Sequence, residues 1–391
     1  MELSRTITGL NGGGDDGWGL FYEARRRKAR GEPILELTIG EHDIRTHPAI
    51  LDAMHASARG GHTGYAMVPG VSALREAVAH RVSARTGVAT GPDNVLITPG
   101  GQAALFAAHL AALNPGDRAL FIDPYYATYP GTIRGTGAVS RAVPCLAKYG
   151  FQPRAEDLRE AASGAKSLLI NTPNNPTGAV YSRETIEGIA QVAQEADLWL
   201  ISDEVYDSQV WHGTHLSPRA LPGMAERTLV IGSMSKSHAM TGSRVGWIVA
   251  PEDVIAHLID LATSTTYGVP GYIQDAALFA LNEGEWLEEE VGAPFKRRRQ
   301  KAEALIAAQN TVGLVPSGGA MYLMLDISST GLSGKGFAAA LLDEAAIAVM
   351  PGESFGTAAA GHVRVAMTLE DTAFEAALSR LLSFAADRAT V

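Results

Sequence analysis

Cysteine is almost missing from this chain: among 391 residues Cys145 stands alone. No intrachain disulfide can form, which fits a reducing compartment, and a lone cysteine reads as a small buried apolar residue. Apolar runs of membrane-spanning length are also missing. The opening residues, MELSRTITGL, lack the basic-then-apolar order of a secretory leader, so a cytoplasmic location is expected. Positive charge is scarce: 32 Lys plus Arg against 42 Asp plus Glu give a net charge of −10. That balance argues against nucleic acid or an anionic membrane as the main partner. The 11 histidines fall without metal-ligand spacing and no His-Glu-x-x-His occurs, so no metal is expected. Gly131, Gly135 and Gly137 do not follow a strand and open a helix, so they make no dinucleotide fingerprint.

The length exceeds what one hydrophobic core serves, so two domains are the default. Gly12 to Asp16 read as a mobile arm. A short helix from Trp18 to Arg30 follows, with Arg25, Arg26 and Arg27 on a solvated face, and then a short strand from Ile34 to Ile39. In the second of two amphipathic helices after it, Leu74, Val78 and Val82 recur at a spacing of four and share one face. From about residue 94 the pattern becomes strand, loop, helix, repeated. Candidate strands are Val95 to Thr98, Ala119 to Ile122, Leu168 to Ile170, Trp199 to Ser202 and Leu229 to Ile231. Near-continuous apolar runs suit a parallel sheet covered on both faces. Helices such as Glu184 to Ala196, with Ile186, Ile189 and Ala193 inward, supply the crossovers. The fold class is α/β: a three-layer α/β/α large domain with a mostly parallel sheet. After Pro270 a long helical region carries the runs Glu288 to Glu290 and Lys296 to Arg299, both read as solvated helix faces. Strand-like AMYLMLDIS, a helix, strand-like AIAVM and HVRVAMT, and a terminal amphipathic helix complete a smaller α+β domain.

In open α/β sheets, ligands bind beyond the carboxyl ends of the strands. Val95 to Thr98 runs into Pro99, Gly100, Gly101 and Gln102 and then an Ala-rich helix, and glycines opening a helix let free amides approach a phosphate. The next strand empties into Asp123, Pro124, Tyr125 and Tyr126, where an aromatic ring can stack on a flat heterocycle or simply pack in the core. Leu168 to Ile170 leads into NTPNNPTG, a loop stiffened by two prolines that leaves Asn175 able to donate to a ligand oxygen. The following strand ends at Ser202, Asp203, Glu204, Val205 and Tyr206. A carboxylate at a buried strand end is costly without a cationic partner, whether a structural cation or a protonated pyridine nitrogen. The last strand releases Ser233, Ser235 and Lys236, with Arg244 eight positions later. An amine there can condense with a carbonyl cofactor, while hydroxyls and a guanidinium hold that cofactor's phosphate. Taken alone, Ser-x-Ser-Lys reads as a surface lysine after a buried strand; the weight lies in the convergence of five strand ends.

The motifs NNPTG, SDEVY and SMSKSHAMTGSRVG resemble those of the class I/II pyridoxal-phosphate (PLP) aminotransferases of fold type I, the aspartate aminotransferase superfamily. The likeness runs from about Glu32 to the C-terminus. It implies that Lys236 is the imine-forming lysine and proton shuttle, Asp203 the partner of the ring nitrogen, Asn175 and Tyr206 partners of the ring hydroxyl, and Tyr126 the stacked aromatic. Ser233, Ser235 and Arg244, with Gly100, Gly101 and Gln102, resemble the phosphate cradle. GHTGYAMVPG resembles the segment whose tyrosine, here Tyr65, reaches the phosphate of the neighbouring subunit, which implies a homodimer with shared sites. Gly361 to Val365 resembles the strand whose arginine, here Arg364, grips the substrate α-carboxylate; Gly40, in GEHD, matches the turn glycine that touches the same group. The implied division is residues 1–45 as N-terminal arm and part of the small domain, 46–285 as the large PLP-binding domain and 286–391 as the small C-terminal domain. The implied reaction is PLP-dependent exchange of an amino group between an L-amino acid and a 2-oxo acid. A β-eliminating carbon–sulfur lyase of the same fold shares the lysine, aspartate and arginine and is the alternative.

Some positions depart from the pattern. Position 102 is glutamine where some aspartate-type relatives carry lysine, which argues against aspartate specificity, and His42 stands where the family has proline. Tyr267 and Tyr272 lie in a stretch the family uses to close the neighbouring pocket, a placement that favours an apolar or aromatic substrate side chain, although core packing accounts for them better. His238, two residues from Lys236, is read as pocket-lining or structural. Gly352 to Gly356 matches G-x-S-x-G, but His362 then precedes Asp371, the wrong order for a hydrolase triad. A PLP-binding regulator without turnover would need a DNA-binding domain ahead of a register that begins by about residue 34.

Overall fold

A computed structural model describes residues 1–12 and 17–389. Gly13 to Asp16, most of the stretch read as a mobile arm, lie outside the described residues. A two-residue strand, β1 (Leu35–Glu36), precedes a seven-stranded sheet. Its strands are β2 (Val95–Thr98), β3 (Arg118–Asp123), β4 (Val139–Pro144), β5 (Ala165–Asn171), β6 (Trp199–Asp203), β7 (Thr228–Ser233) and β8 (Gly246–Val249), in the spatial order β2-β8-β7-β6-β5-β3-β4. Neighbours from β7 across to β4 pair in parallel, while β8 runs antiparallel to both β2 and β7.

Successive side chains of a strand leave on opposite faces, and here both faces meet helices. Leu168, Ile170 and Leu200 pack with Ile186 and Ile189 of helix Arg183–Glu195. Leu169 and Ile201 pack on the other side with Ala104 and Leu105 of helix Gly101–Ala112. Each such fully buried leucine or isoleucine contributes about 1.5–3 kcal/mol over its exposed state. Local chemistry agrees with this packing: the hydroxyl of Ser182 accepts the Thr185 amide at 3.1 Å and starts helix Arg183–Glu195.

The rest of the chain builds a second core. β9 (Gly313–Leu314), β10 (Tyr322–Asp326), β11 (Ile347–Ala348), β12 (Met350–Pro351) and β13 (His362–Ala366) follow in sequence. Four of them form an antiparallel sheet in the order β12-β13-β10-β9, and β11 pairs in parallel with β1. Phe295, Phe337 and Phe374 bring helices Trp286–Ala307, Gly334–Ala345 and Asp371–Ala386 onto this core.

Three expectations are corrected. β4 and β8 are absent from the sequence reading; β4 is an edge strand with Val139 55% exposed, so it shows no buried run. The strand expected over Ile34 to Ile39 is only β1, and AIAVM is split between β11 and β12 in different sheets. The charged runs are not solvated throughout. The helical period turns Glu288, Arg298 and Arg299 inward while Glu289, Lys296 and Arg297 stay exposed. The G-x-S-x-G serine, Ser354, already set aside as a nucleophile, donates to the Gly17 carbonyl at 2.7 Å.

Candidate active site

The carboxyl ends of β2, β3, β5, β6 and β7 open on one cleft of about 340 Å³. Lys236 is the third residue of the four-residue helix Met234–Ser237, which Ser233 starts by accepting the Ser235 amide at 3.1 Å. Its Nζ donates to the Gly40 carbonyl. Burial, only partly opposed by Glu41, lowers its pKa from 10.5 to about 8. An amine so poised is a far better nucleophile near neutral pH than an exposed lysine.

Asp203 faces the opposite problem. Burial raises its pKa to about 6, against the pull of the Tyr129 hydroxyl, which donates to Oδ2 at 2.6 Å, and of the Val205 amide. Among the described residues no lysine or arginine pairs with it. Asn171, at the end of β5, orders the neighbouring loop: its Nδ2 donates to the Asp203 carbonyl at 2.9 Å and its Oδ1 accepts the Asn175 amide at 2.7 Å.

Two arginines complete the cleft. Arg364, on β13 and 1% exposed, is sandwiched between the rings of Tyr322 and Phe355, 4.5 and 4.3 Å from their centroids. It donates to Asn175 Oδ1 at 2.8 Å and to the Thr38 carbonyl, its Nε has no partner, and burial lowers its pKa. No carboxylate of the described residues offsets this buried cation, which is costly until an anion arrives. Arg244 lies against Gly100, which heads helix Gly101–Ala112 with φ 82°; a Cβ on Gly100 would fall 2.5 Å from Arg244 Nη2. A guanidinium beside the free amides of a helix start is an anion cradle. Gly40 is confined too, since a Cβ there would lie 1.8 Å from the Tyr322 hydroxyl.

Of the residues singled out in the sequence, Gly40, Gly101, Gln102, Tyr126, Asn175, Asp203, Tyr206, Ser233, Ser235, Lys236, Arg244 and Arg364 all line this cleft. Gly100 adjoins it through Arg244. Tyr65 does not: it is 90% exposed, edge-on to Tyr267 with centroids 5.1 Å apart. His238 turns away from the cleft, its Nδ1 2.7 Å from Ser237 Oγ. Sequence reasoning missed Trp18, Glu41, Tyr129, Asn171 and Tyr322, which also line it. Tyr129, the first residue of helix Tyr129–Gly135, comes three residues after Tyr126, and Asn171 opens the NTPNNPTG loop, so both sat beside recognised motifs. Tyr322, whose hydroxyl is 2.9 Å from that of Tyr206, was hidden in an ordinary strand pattern.

Comparison with known proteins agrees with this geometry. The family described as "Aminotransferase class I and II" matches residues 32–381. The chain belongs to the class I and II aminotransferases. It is similar to the arginine–pyruvate transaminase AruH of Pseudomonas aeruginosa, 40% identical over 389 residues that cover 99% of each chain. It is also similar to the aspartate/prephenate aminotransferase of Thermus thermophilus, 35% identical over 362 residues covering 92% of each. Among solved structures, the Thermus thermophilus aspartate aminotransferase with maleate superposes with a TM-score of 0.92 at 32% identity, covering 98% of this chain and 100% of that one. This aminotransferase is thus a PLP-dependent enzyme of fold type I that moves an amino group between an amino acid and a 2-oxo acid. Its residues fit that cofactor: an arginine without an acidic partner beside a helix start suits a phosphate, and a buried carboxyl without a cation suits a ring nitrogen that carries a proton. Among the described residues no helix is long and apolar enough to cross a membrane.

Proposed function

We propose that this aminotransferase takes a monocarboxylic L-amino acid with a long cationic side chain as donor and a small monocarboxylic 2-oxo acid as acceptor. When bound, PLP supplies a carbon that bonds to amines and a protonated ring that draws electrons from the substrate α-carbon. Lys236 Nζ would hold the cofactor and would move the proton at the substrate α-carbon; its lowered basicity suits both tasks. Asp203, backed by Tyr129, keeps the ring nitrogen protonated. Asn175 and Tyr206 would serve the ring hydroxyl, and Tyr126 would pack against the ring. Ser233, Ser235, Arg244 and the helix start at Gly100, Gly101 and Gln102 hold the phosphate. The Arg364 fork receives the α-carboxylate with Gly40 beside it, which fixes the α-carbon for proton removal.

One observation carries the choice of donor. With Lys236, Asp203 and Arg244 given to the cofactor and Arg364 to the α-carboxylate, the charged side chain left over along the cleft is Glu41, an anion. Gln102 brings no charge and is engaged at both ends, accepting from Thr128 and donating to Thr132 at 3.2 Å each. A second substrate carboxylate therefore finds no cation from this chain's own cleft lining, while a guanidinium or ammonium finds Glu41. The arginine–pyruvate transaminase named above supports the same assignment. Tyr65 and Tyr267, exposed side by side, support a homodimer in which Tyr65 reaches the second copy's phosphate. The pairing of β1 with β11 supports grouping residues 1–45 with 286–391 as the small domain and 46–285 as the cofactor domain. A cytoplasmic setting accords with the single, buried Cys145. The test is a panel of L-arginine, L-lysine, L-tyrosine and L-aspartate against pyruvate and 2-oxoglutarate. Arginine or lysine with pyruvate should exceed aspartate in kcat/KM by about tenfold or more; aspartate as the best donor would overturn the assignment.

A further inference from the structure

We propose that His42 is a positioning residue for Lys236, setting the place of the amine through the lysine's own backbone carbonyl. The inference rests on Lys236 being the residue that bonds the cofactor. A helix of only four residues leaves its last carbonyls without intrahelical donors. For Lys236 two side chains supply them: His42 Nε2 and Gln209 Nε2, each 3.0 Å from its oxygen. A carbonyl can only accept, so His42 carries its hydrogen on Nε2, and its buried Nδ1 is left as a lone pair with no partner. Burial, with the charge of Lys236 adding to it, holds the ring neutral down to a pKa of about 3, so this donor does not depend on working pH. A buried imidazole with one unmet nitrogen is not a stabilising choice. It stands where it does against the reactive lysine.

The neighbourhood makes the contact a brace rather than a coincidence. The ring of His42 packs edge-on against Phe295 with centroids 5.5 Å apart. The next residue, Asp43, takes both Nη atoms of Arg298 at 2.8 and 2.7 Å. Thr46 Oγ1 donates to the Ala239 carbonyl at 2.7 Å, and Lys236 Nζ donates to the Gly40 carbonyl. Residues Gly40 to Thr46 thus run alongside Lys236 to Ala239, bonded at three places, and are pinned from outside by helix Trp286–Ala307. The substrate-side turn and the lysine segment are tied together, and His42 is the central fastening.

His42→Phe keeps the packing on Phe295 and removes the donor; His42→Gln restores an N–H at similar reach. The rate at which PLP becomes covalently attached to the apo-protein is followed by borohydride reduction, mass spectrometry and peptide mapping. Binding of pyridoxamine phosphate, which occupies the same cradle without bonding to lysine, is measured in parallel. His42→Phe should slow attachment about five- to tenfold while pyridoxamine phosphate binds within about twofold of wild type, and His42→Gln should recover most of the rate. Gln209→Met, which removes the second donor, should slow attachment in the same way if His42→Phe proves poorly folded. Attachment at the wild-type rate in His42→Phe, an equal loss of pyridoxamine phosphate binding, or no recovery in His42→Gln would overturn the role of His42. An adduct mapping away from Lys236 in the wild type would instead overturn the reading beneath it.

Discussion

Asp203, buried, ends β6, and Asp207, partly buried, follows four residues later; their chemistry diverges. Asp203 opens on the cleft and burial drives its pKa up to about 6. Asp207 lies on the far side of the sheet; burial pushes it up as well, but Arg81 and Arg85 outweigh that and hold it at about 2. There the charges close on themselves: Arg81 and Arg85 both face Asp207 and Glu288, joining helices Ser72–Thr86 and Trp286–Ala307. In the cleft, Asp203, Arg244 and Arg364 have no such partners among the described residues. One group of charges serves the fold and is complete; the other is complementary to molecules that must come from outside.

The contrast can be broken from either side. Lys236→Ala should abolish covalent attachment of PLP and reduce transamination by about four orders of magnitude, with the thermal transition unmoved, as activity assays and calorimetry would show. Glu288→Ala should do the reverse. It leaves Arg81 and Arg85, partly exposed, with Asp207 alone and should cost about 1–3 kcal/mol in denaturant unfolding, while cofactor affinity stays within about twofold. A large loss of affinity with intact stability would mean that the far cluster belongs to the site. Arg364→Lys keeps the charge but loses the planar fork, so KM for the amino donor should rise about ten- to a hundredfold in steady-state kinetics, more than kcat falls.

Acid sharpens the contrast further. A carboxyl held below its unfolded value of about 3.9 contributes stability above that pH and loses it as pH falls toward the folded value. Asp207 should therefore account for about 2 kcal/mol lost between roughly pH 4 and pH 2 in urea titrations. That loss should vanish in Asp207→Asn. The smallest effect concerns specificity: Gln102→Lys adds a cation to the cleft and should raise kcat/KM for aspartate relative to arginine by about tenfold.

The large sheet and most of the cleft were legible because strands buried on two faces betray themselves as apolar runs, and each run ended in a chemically distinctive group. The rest was hidden for identifiable reasons. β4 is an exposed edge and carries no run. Tyr322 and Glu41 enter the cleft from segments distant in sequence from the lysine motif, so no local pattern marks them. Glu288 and Arg298 sit in runs of like charge whose neighbours are exposed, and only the helical period, not composition, separates the inward residues from the outward ones.

The direction of β8 has a consequence for how this enzyme can change. Because β8 runs against β7, with Ser233 opposite Gly246, the chain makes a tight return that puts Lys236 and Arg244 on one short tether. Loops along this rim that are not bonded to that return can lengthen without moving either group. An insertion between residues 237 and 243 would displace the reactive nitrogen and the anion-binding guanidinium together. New specificities for this scaffold should therefore be sought in the arm around Trp18, and neither inside that return nor in the Gly40 turn bonded to it.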